Sequence, residues 1–347
     1  MIAMKRFFIC VIVLSLGLWS IDTVFAQTEE LAPGVGMKKL GQSTMNFLQV
    51  SVIPGASGMG EAYTAIGTGC ESIFFNPAGL PEMDSRFAAL VTNTQYVADI
   101  KYMVGALAWN LGNTGTLALS FLSVDYGDII WTTLAESPSD AKGYREHGKI
   151  SNVGAYALGL SYGRRISNVF SIGGNVRYVG QQLGESFLKT GEKKNSESQV
   201  AFDLGIKFYP GYKSFRFAMS IRNFGPSIKY EEITAQLPLS FAIGVAMNMM
   251  DLINLPGHSQ DNSLLLSAEF VHPNNYTERI NVGLEYKLLN ILALRGGYQS
   301  NTDLAGFSGG VGITPPEVGG AKMEFGYSYS VLDIFDGINR FSLKVEL

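Results

Sequence analysis

Val200-Ala201-Phe202-Asp203-Leu204-Gly205-Ile206-Lys207-Phe208 decides the fold of this chain. Val200, Phe202, Leu204, Ile206 and Phe208 occupy every second position, and Ala201, Asp203, Gly205 and Lys207 fall between them. Successive side chains of a strand point to opposite faces, so one face is wholly apolar and the other is small or charged. The phase returns on either side: Phe217, Met219 and Ile221 oppose Arg216, Ala218, Ser220 and Arg222, and Met323, Phe325, Tyr327 and Tyr329 oppose Lys322, Glu324, Gly326 and Ser328. Repeated alternating segments of about ten residues are the signature of a transmembrane β-barrel, apolar toward lipid and polar toward the lumen.

Marking every such segment predicts fourteen strands, at 86–96, 99–111, 115–126, 152–164, 169–182, 198–209, 215–223, 238–248, 263–271, 279–288, 291–299, 304–313, 321–330 and 340–347. An even number suits an antiparallel bacterial barrel. Long polar connections at 127–151, 183–197 and 224–237 alternate with tight turns such as Pro210-Gly211. That asymmetry places the long loops outside the cell and both chain ends in the periplasm. The linker 249–262 is long for its side. Tyr162, Tyr178, Tyr209 and Tyr298 fall near strand ends, where an interfacial girdle is expected.

Lys5 and Arg6 precede the apolar run 7–19, and Val24-Phe25-Ala26 provides a small-residue cleavage site, so 1–26 reads as a signal peptide. Its loss removes Lys5, Arg6 and Asp22 and takes the formal charge from −4 to −5. Nothing in that balance offers a footprint for nucleic acid. Cys70 is then the lone cysteine, which excludes an intrachain disulfide. Charged residues make up 16% of the chain against about 25% in soluble domains, yet no apolar stretch after residue 26 is long enough for a spanning helix. The domain reading is therefore a signal peptide (1–26), a weakly alternating insert rich in glycine and proline (27–85), and a barrel (86–347).

Within the insert, residues 58–80 read G-M-G-E-A-Y-T-A-I-G-T-G-C-E-S-I-F-F-N-P-A-G-L. Gly58, Gly60, Glu71 and the ending Asn76-Pro77-Ala78-Gly79-Leu80 resemble the hatch segment shared by FadL-type hydrophobe transporters and the PorV/PorQ family. Ile280 to Tyr298, I-N-V-G-L-E-Y-K-L-L-N-I-L-A-L-R-G-G-Y, resembles a PorV/PorQ strand pair, and Asn339-Arg340-Phe341-Ser342-Leu343 resembles that family's close. The resemblance spans nearly the whole mature chain. It implies a FadL-like outer-membrane barrel whose N-terminal hatch, with Gly58, Gly60, Asn76, Pro77 and Gly79 as its motif, crosses the lumen. Pro77 lacks a backbone donor and holds Asn76 extended, while Gly79 permits a turn.

Chemistry beyond passage finds little support. His147, His258 and His272 lie far apart without partners at zinc-ligand spacing, so no metal is expected. Gly306-Phe307-Ser308-Gly309-Gly310 fits a nucleophile-elbow pattern, but no histidine follows Ser308 and the stretch reads as a strand. Gly34-Val35-Gly36 lacks the third glycine of a nucleotide fingerprint, and no cofactor is expected. Asn275-Tyr276-Thr277 matches a glycosylation sequon by chance. The chain reads as a non-enzyme.

Arg177, Asp203, Lys207, Arg216, Arg222, Glu269, Glu285, Arg295, Lys322 and Glu324 all take the inward phase. Mixed signs fit paired charges that fill a polar interior, or an ionised lining for a solute path. In the first long loop, Ile129, Ile130 and Trp131 beside Asp128 form an apolar cluster with a polar rim, a candidate recognition surface. Resemblance to PorV implies a type IX secretion component that receives exported proteins through their C-terminal sorting domains. Resemblance to FadL implies uptake of small hydrophobic molecules instead. Both readings place the chain among outer-membrane lipids of a Gram-negative bacterium.

Overall fold

A computed structural model describes residues 42–134, 142–150, 152–188, 191–230, 233–252, 262–302 and 306–347. The expected signal peptide and residues 27–41 of the insert lie outside the described residues. In chain order the strands are β1 (Phe87–Gln95), β2 (Lys101–Asn110), β3 (Thr116–Asp125), β4 (Ile130–Leu134), β5 (Tyr144–Lys149), β6 (Val153–Ser167), β7 (Phe170–Leu188), β8 (Gly191–Phe208) and β9 (Arg216–Phe224). They continue as β10 (Ile228–Tyr230), β11 (Ile233–Ala235), β12 (Ser240–Asn248), β13 (Ser263–Pro273), β14 (Arg279–Leu288), β15 (Leu292–Gln299), β16 (Phe307–Ile313), β17 (Lys322–Ser330) and β18 (Ile338–Glu346).

Fourteen of these close into one antiparallel barrel in which each strand pairs with its neighbours in sequence, while β4–β5 and β10–β11 form separate hairpins. Closure is made by β1 against β18, from Ala88 opposite Glu346 to Gln95 opposite Asn339. Full closure leaves no sheet edge to hydrogen-bond, which is the condition for crossing hydrocarbon with strands. The alternation read from sequence is the alternation of the wall. Phe202 and Leu204 are exposed on the outside, whereas Ala201, Asp203 and Lys207 are buried inside.

Residues 87 and 347 lie together at one end, here the root end, where Phe87 and Leu347 exchange backbone hydrogen bonds. The described parts of the connections 126–152 and 225–239 lie at the other, the loop end, toward which β7 and β8 extend. Two expectations for the loops change. The stretches 127–151 and 224–237, read as irregular, carry the hairpins β4–β5 and β10–β11, and β7 and β8 extend well beyond the expected 182 and 198. Tyr-Arg-Glu-His-Gly-Lys in β5 has no alternation to betray it, because all six residues are exposed.

Residues 42–85 occupy the interior. Short helices at Pro54–Gly58 and Gly69–Ser72 and a 3-10 turn at Pro77–Glu82 are joined by irregular backbone. Met45, Phe47, Ile53, Met59, Ile66, Ile73, Phe75 and Leu80 are buried among them, so the lumen holds an apolar core. The polar lumen expected from the alternation is thus confined to the wall.

Candidate functional site

The segment enters at the loop end. Thr44 N–H donates to the Gln236 carbonyl, and the Asn275 amide donates to Ser43, Asn46 and Gln49 at 2.7, 3.1 and 3.2 Å. The apparent sequon residue is thereby a clamp on the segment. From there the chain runs toward the root end, where the Asn110 amide donates to the Met83 carbonyl.

Close approach to the wall is made possible by glycine. A Cβ on Gly173 of β7 would meet the backbone of Pro77 and Ala78, and one on Gly205 of β8 would fall on the Asn76 side chain. On the opposite wall, Gly297 of β15 faces the backbone of Met59 and Gly60, and Gly310 of β16 faces Gly58. Gly60 is required twice over: its φ is +59°, and a Cβ there would lie 2.6 Å from the Tyr298 nitrogen. Gly79 packs against the Gly67 carbonyl within the segment itself. The hatch-motif residues Gly58, Gly60, Asn76, Pro77 and Gly79 therefore all sit at contact points.

Asn76 caps the turn that follows it, accepting from Ala78 N–H at 3.0 Å, while its amide donates to the Ile206 carbonyl at 3.0 Å and the Thr64 carbonyl at 3.1 Å. An unpaired backbone carbonyl buried here would cost about 1–3 kcal/mol, and one side chain satisfies two groups of the segment's own backbone while tying it to the wall strand β8. The wall charges act the same way. Arg222 Nη1 donates to the Phe74 carbonyl at 3.0 Å and its guanidinium lies 5.3 Å from the Phe75 ring centre. Glu269 accepts the Thr64 N–H at 2.8 Å. Lys207 Nζ donates to the Gly67 carbonyl at 3.0 Å and pairs with Glu82 at 2.7 Å, and Glu82 also accepts from Tyr209 at 2.7 Å.

Other inward charges pair with each other. Arg177 meets Asp203 at 2.6 Å, and Asp203 also accepts from Asn175 and from the backbone of Asn223, a left-handed residue where β9 bulges against β8. Arg295 bridges Glu285 at 2.7 Å and Glu324 at 3.3 Å. Arg216 lies beside Tyr209. Lys322, by contrast, keeps the inward phase but is exposed at the first position of β17, so it does not line the interior. Tyr209 is likewise no girdle residue, since its hydroxyl turns inward to Glu82.

Sequence reasoning missed Arg340 and Lys344. Arg340 donates to the Ser51 carbonyl and to Ser330, both at 2.8 Å, and Lys344 pairs with Glu324 at 2.7 Å and approaches Glu71 at 3.9 Å. The signal was present, because Phe341, Leu343 and Val345 face outward and the residues between them must face in. Ser308, rejected as a nucleophile, accepts the Gly60 N–H at 3.2 Å. Cys70 is fully buried with its thiol against the Ala88 carbonyl, and burial, with Glu71 nearby, pushes that thiol up to about 12.

Between the segment and the wall lies a chamber lined by Leu48, Val50, Phe74, Leu122, Arg177 and Arg222, with a volume of about 30 Å³. That is room for a water or two and for no hydrocarbon. At the loop end, Ile129 and Ile130 are exposed, while Trp131 is half-buried with its ring 4.4 Å from that of His147. No group of metal-ligating side chains occurs among the described residues.

No protein-family model matches this chain, and no curated protein matches it. Among solved structures it is similar to the CymD monoaromatic hydrocarbon channel, at 12% identity and a TM-score of 0.53 over 85% of this chain and 96% of that one. It is similar also to a FadL homologue of Pseudomonas aeruginosa, at 12% identity and a TM-score of 0.51 over 85% of this chain and 98% of that one. The likeness is one of fold: a closed antiparallel β-barrel of FadL-like architecture.

Proposed function

We propose that this barrel resides in the outer membrane of a Gram-negative bacterium and passes small hydrophobic molecules, with residues 27–85 acting as a displaceable plug. The observation that carries the reading is the chamber beside Phe74: it lies within the lumen, Leu48, Val50, Phe74 and Leu122 give it an apolar side opposite Glu61, Arg177 and Arg222, and it is too small for any solute until the segment moves. An ion channel would show a wetted constriction of one charge sign, whereas the inward charges here are spent on each other and on the segment's backbone. The FadL-like neighbours, one of them a monoaromatic hydrocarbon channel, favour the same class of solute. The long connections then face the exterior and residue 347 the periplasm. No catalysis, metal or cofactor belongs to this role. The test is uptake of radiolabelled toluene by cells expressing the chain, against vector-only cells and against labelled maltose. Faster toluene entry with unchanged maltose entry is expected; equal toluene entry with a correctly folded barrel would overturn the reading.

A second reading keeps the PorV/PorQ resemblance and a type IX secretion role. The observation that favours it is the projecting β4–β5 hairpin, on which Ile129, Ile130, Leu134 and Tyr144 are exposed beside Trp131. Such a surface suits exported proteins with C-terminal sorting domains better than it suits a hydrocarbon. Trp131→Ala would then leave toluene entry intact and abolish surface capture of those proteins; normal capture would remove this reading.

A further inference from the structure

Glu269 of β13 is 3% exposed and makes no ion pair among the described residues. Its carboxylate accepts the Thr64 N–H at 2.8 Å and has the Thr64 hydroxyl beside it. Asn281 stands directly opposite on β14, also facing inward and 2% exposed, and its Oδ1 has no partner. Side chains paired in this way have Cβ atoms about 4.5–5.5 Å apart, so one small guest can touch both. Gln299 follows opposite Asn281 on β15 and leaves its amide nitrogen unpartnered; turned end for end, that amide offers a further oxygen. Three adjacent strands thus hold a row of unsatisfied polar groups against Thr64 of the segment, which is fully buried.

The neighbouring charges do not complete this row. Arg222 of β9 attracts Glu269 from beyond ion-pair distance, but its Nη1 is spent on the Phe74 carbonyl and its guanidinium lies against the Phe75 ring. Glu61, which faces the chamber together with Arg222, repels Glu269 and makes no ion pair of its own among the described residues. Burying an ionised carboxylate is costly unless it is paired or coordinates a metal. The oxygens that gather here come from a carboxylate, an amide and a hydroxyl, the donor set of a hard cation. It is unlike a cluster of His, Cys and acidic side chains, since a single ligand is charged.

We propose that Glu269, Asn281 and Thr64 hold one hard cation, sodium or calcium, between the segment and the wall. A water in its place would bring no charge to the carboxylate. Thr64 belongs to the segment and the other two to the wall, so the three ligands meet only while the segment is seated. The ion takes no part in passage; it holds the plug. At ten times its Kd, a cation that binds only the seated form lowers the displaced population about elevenfold.

The test uses the full chain purified in detergent, stripped with EDTA and kept in choline chloride, with equilibrium binding of radioactive calcium and of radioactive sodium. One saturable site per chain is expected for at least one ion, and the ion that binds identifies the occupant. Binding should be at least tenfold weaker in Glu269→Gln and in Asn281→Leu, and unchanged in Asp336→Asn, an exposed carboxylate between β17 and β18. Asn281→Leu keeps the buried carboxylate and nearly the same volume, so it decides the matter if Glu269→Gln does not fold. Maleimide modification of the buried Cys70 is the second readout: slower in saturating ion than in choline chloride, with no such difference in Glu269→Gln. Glutamine also mimics a protonated Glu269, so a proton shared with Asn281 instead of an ion predicts no ion binding and the same Cys70 rate in Glu269→Gln as in the unaltered chain. That pattern, binding indifferent to both variants, or a Cys70 rate unmoved by the bound ion would each overturn the proposal.

Discussion

Gly173→Ala adds one carbon to the inner wall, and the structure says what it meets. The new Cβ would lie within 2.5 Å of the Ala78 nitrogen and closer still to the carbonyl group of Pro77. These are backbone atoms of a turn fixed by the proline ring and by the Asn76 cap, so no rotamer change relieves the overlap. Overpacking of this kind costs about 1–3 kcal/mol, which shifts the balance between seated and displaced segment by roughly 5-fold to 150-fold. Cys70 reads that balance directly. Its thiol is buried and its ionisation suppressed, so a maleimide reacts only with molecules in which the segment has left the wall. Where opening and closing outpace labelling, the modification rate follows the displaced population. Gly296→Ala, an outward-facing position on β15 with open space around it, is the control for strand and chain-entropy effects. Labelling of Gly173→Ala at the control rate, with both barrels folded, would refute the glycine seat.

Two further outcomes follow from the same contacts. Asn76→Ala removes three hydrogen bonds from buried backbone and should raise Cys70 labelling about tenfold or more, at a cost of about 1–3 kcal/mol per group left unpaired, while heat modifiability of the barrel is unchanged. Leu119→Arg, on the lipid face in the middle of β3, should destabilise the barrel by about 2–4 kcal/mol in urea titrations in micelles or vesicles, against less than about 0.5 kcal/mol for Lys322→Ala.

The wall was legible because its rule is local. Each strand must be apolar at alternate positions to meet lipid, and every expected strand corresponds to an observed one within a few residues, apart from the long extension of β7 and β8. The inward phase of Asp203, Lys207 and Arg222 followed from the same rule. Their partners did not, since Lys207 is separated from Gly67 by 140 residues and Arg222 from Phe74 by 148. Period two gives the side a residue faces and is silent on what waits there. Lys322 shows the converse limit: correct phase at a strand's first residue still leaves a side chain in solvent. The glycines of the wall were visible as small inward residues, but only the fold shows that they lie opposite Gly58, Met59, Asn76 and Pro77.

The glycine seat also constrains how the molecule can be made. Its contact points are contributed by β6, β7 and β8 on one side and by β14, β15, β16 and β17 on the other, which emerge from the ribosome more than seventy residues apart. The inner segment is synthesised before any of them. A closed cylinder with walls this near would have to be threaded from one mouth, past side chains that already fill its bore. The simpler order of biogenesis is for the sheet to curl around the segment as successive hairpins are added, with the β1–β18 seam sealing last. On that order the segment serves as the mandrel on which the cylinder is wound, and a chain lacking it would be slow to close even though no strand had been altered.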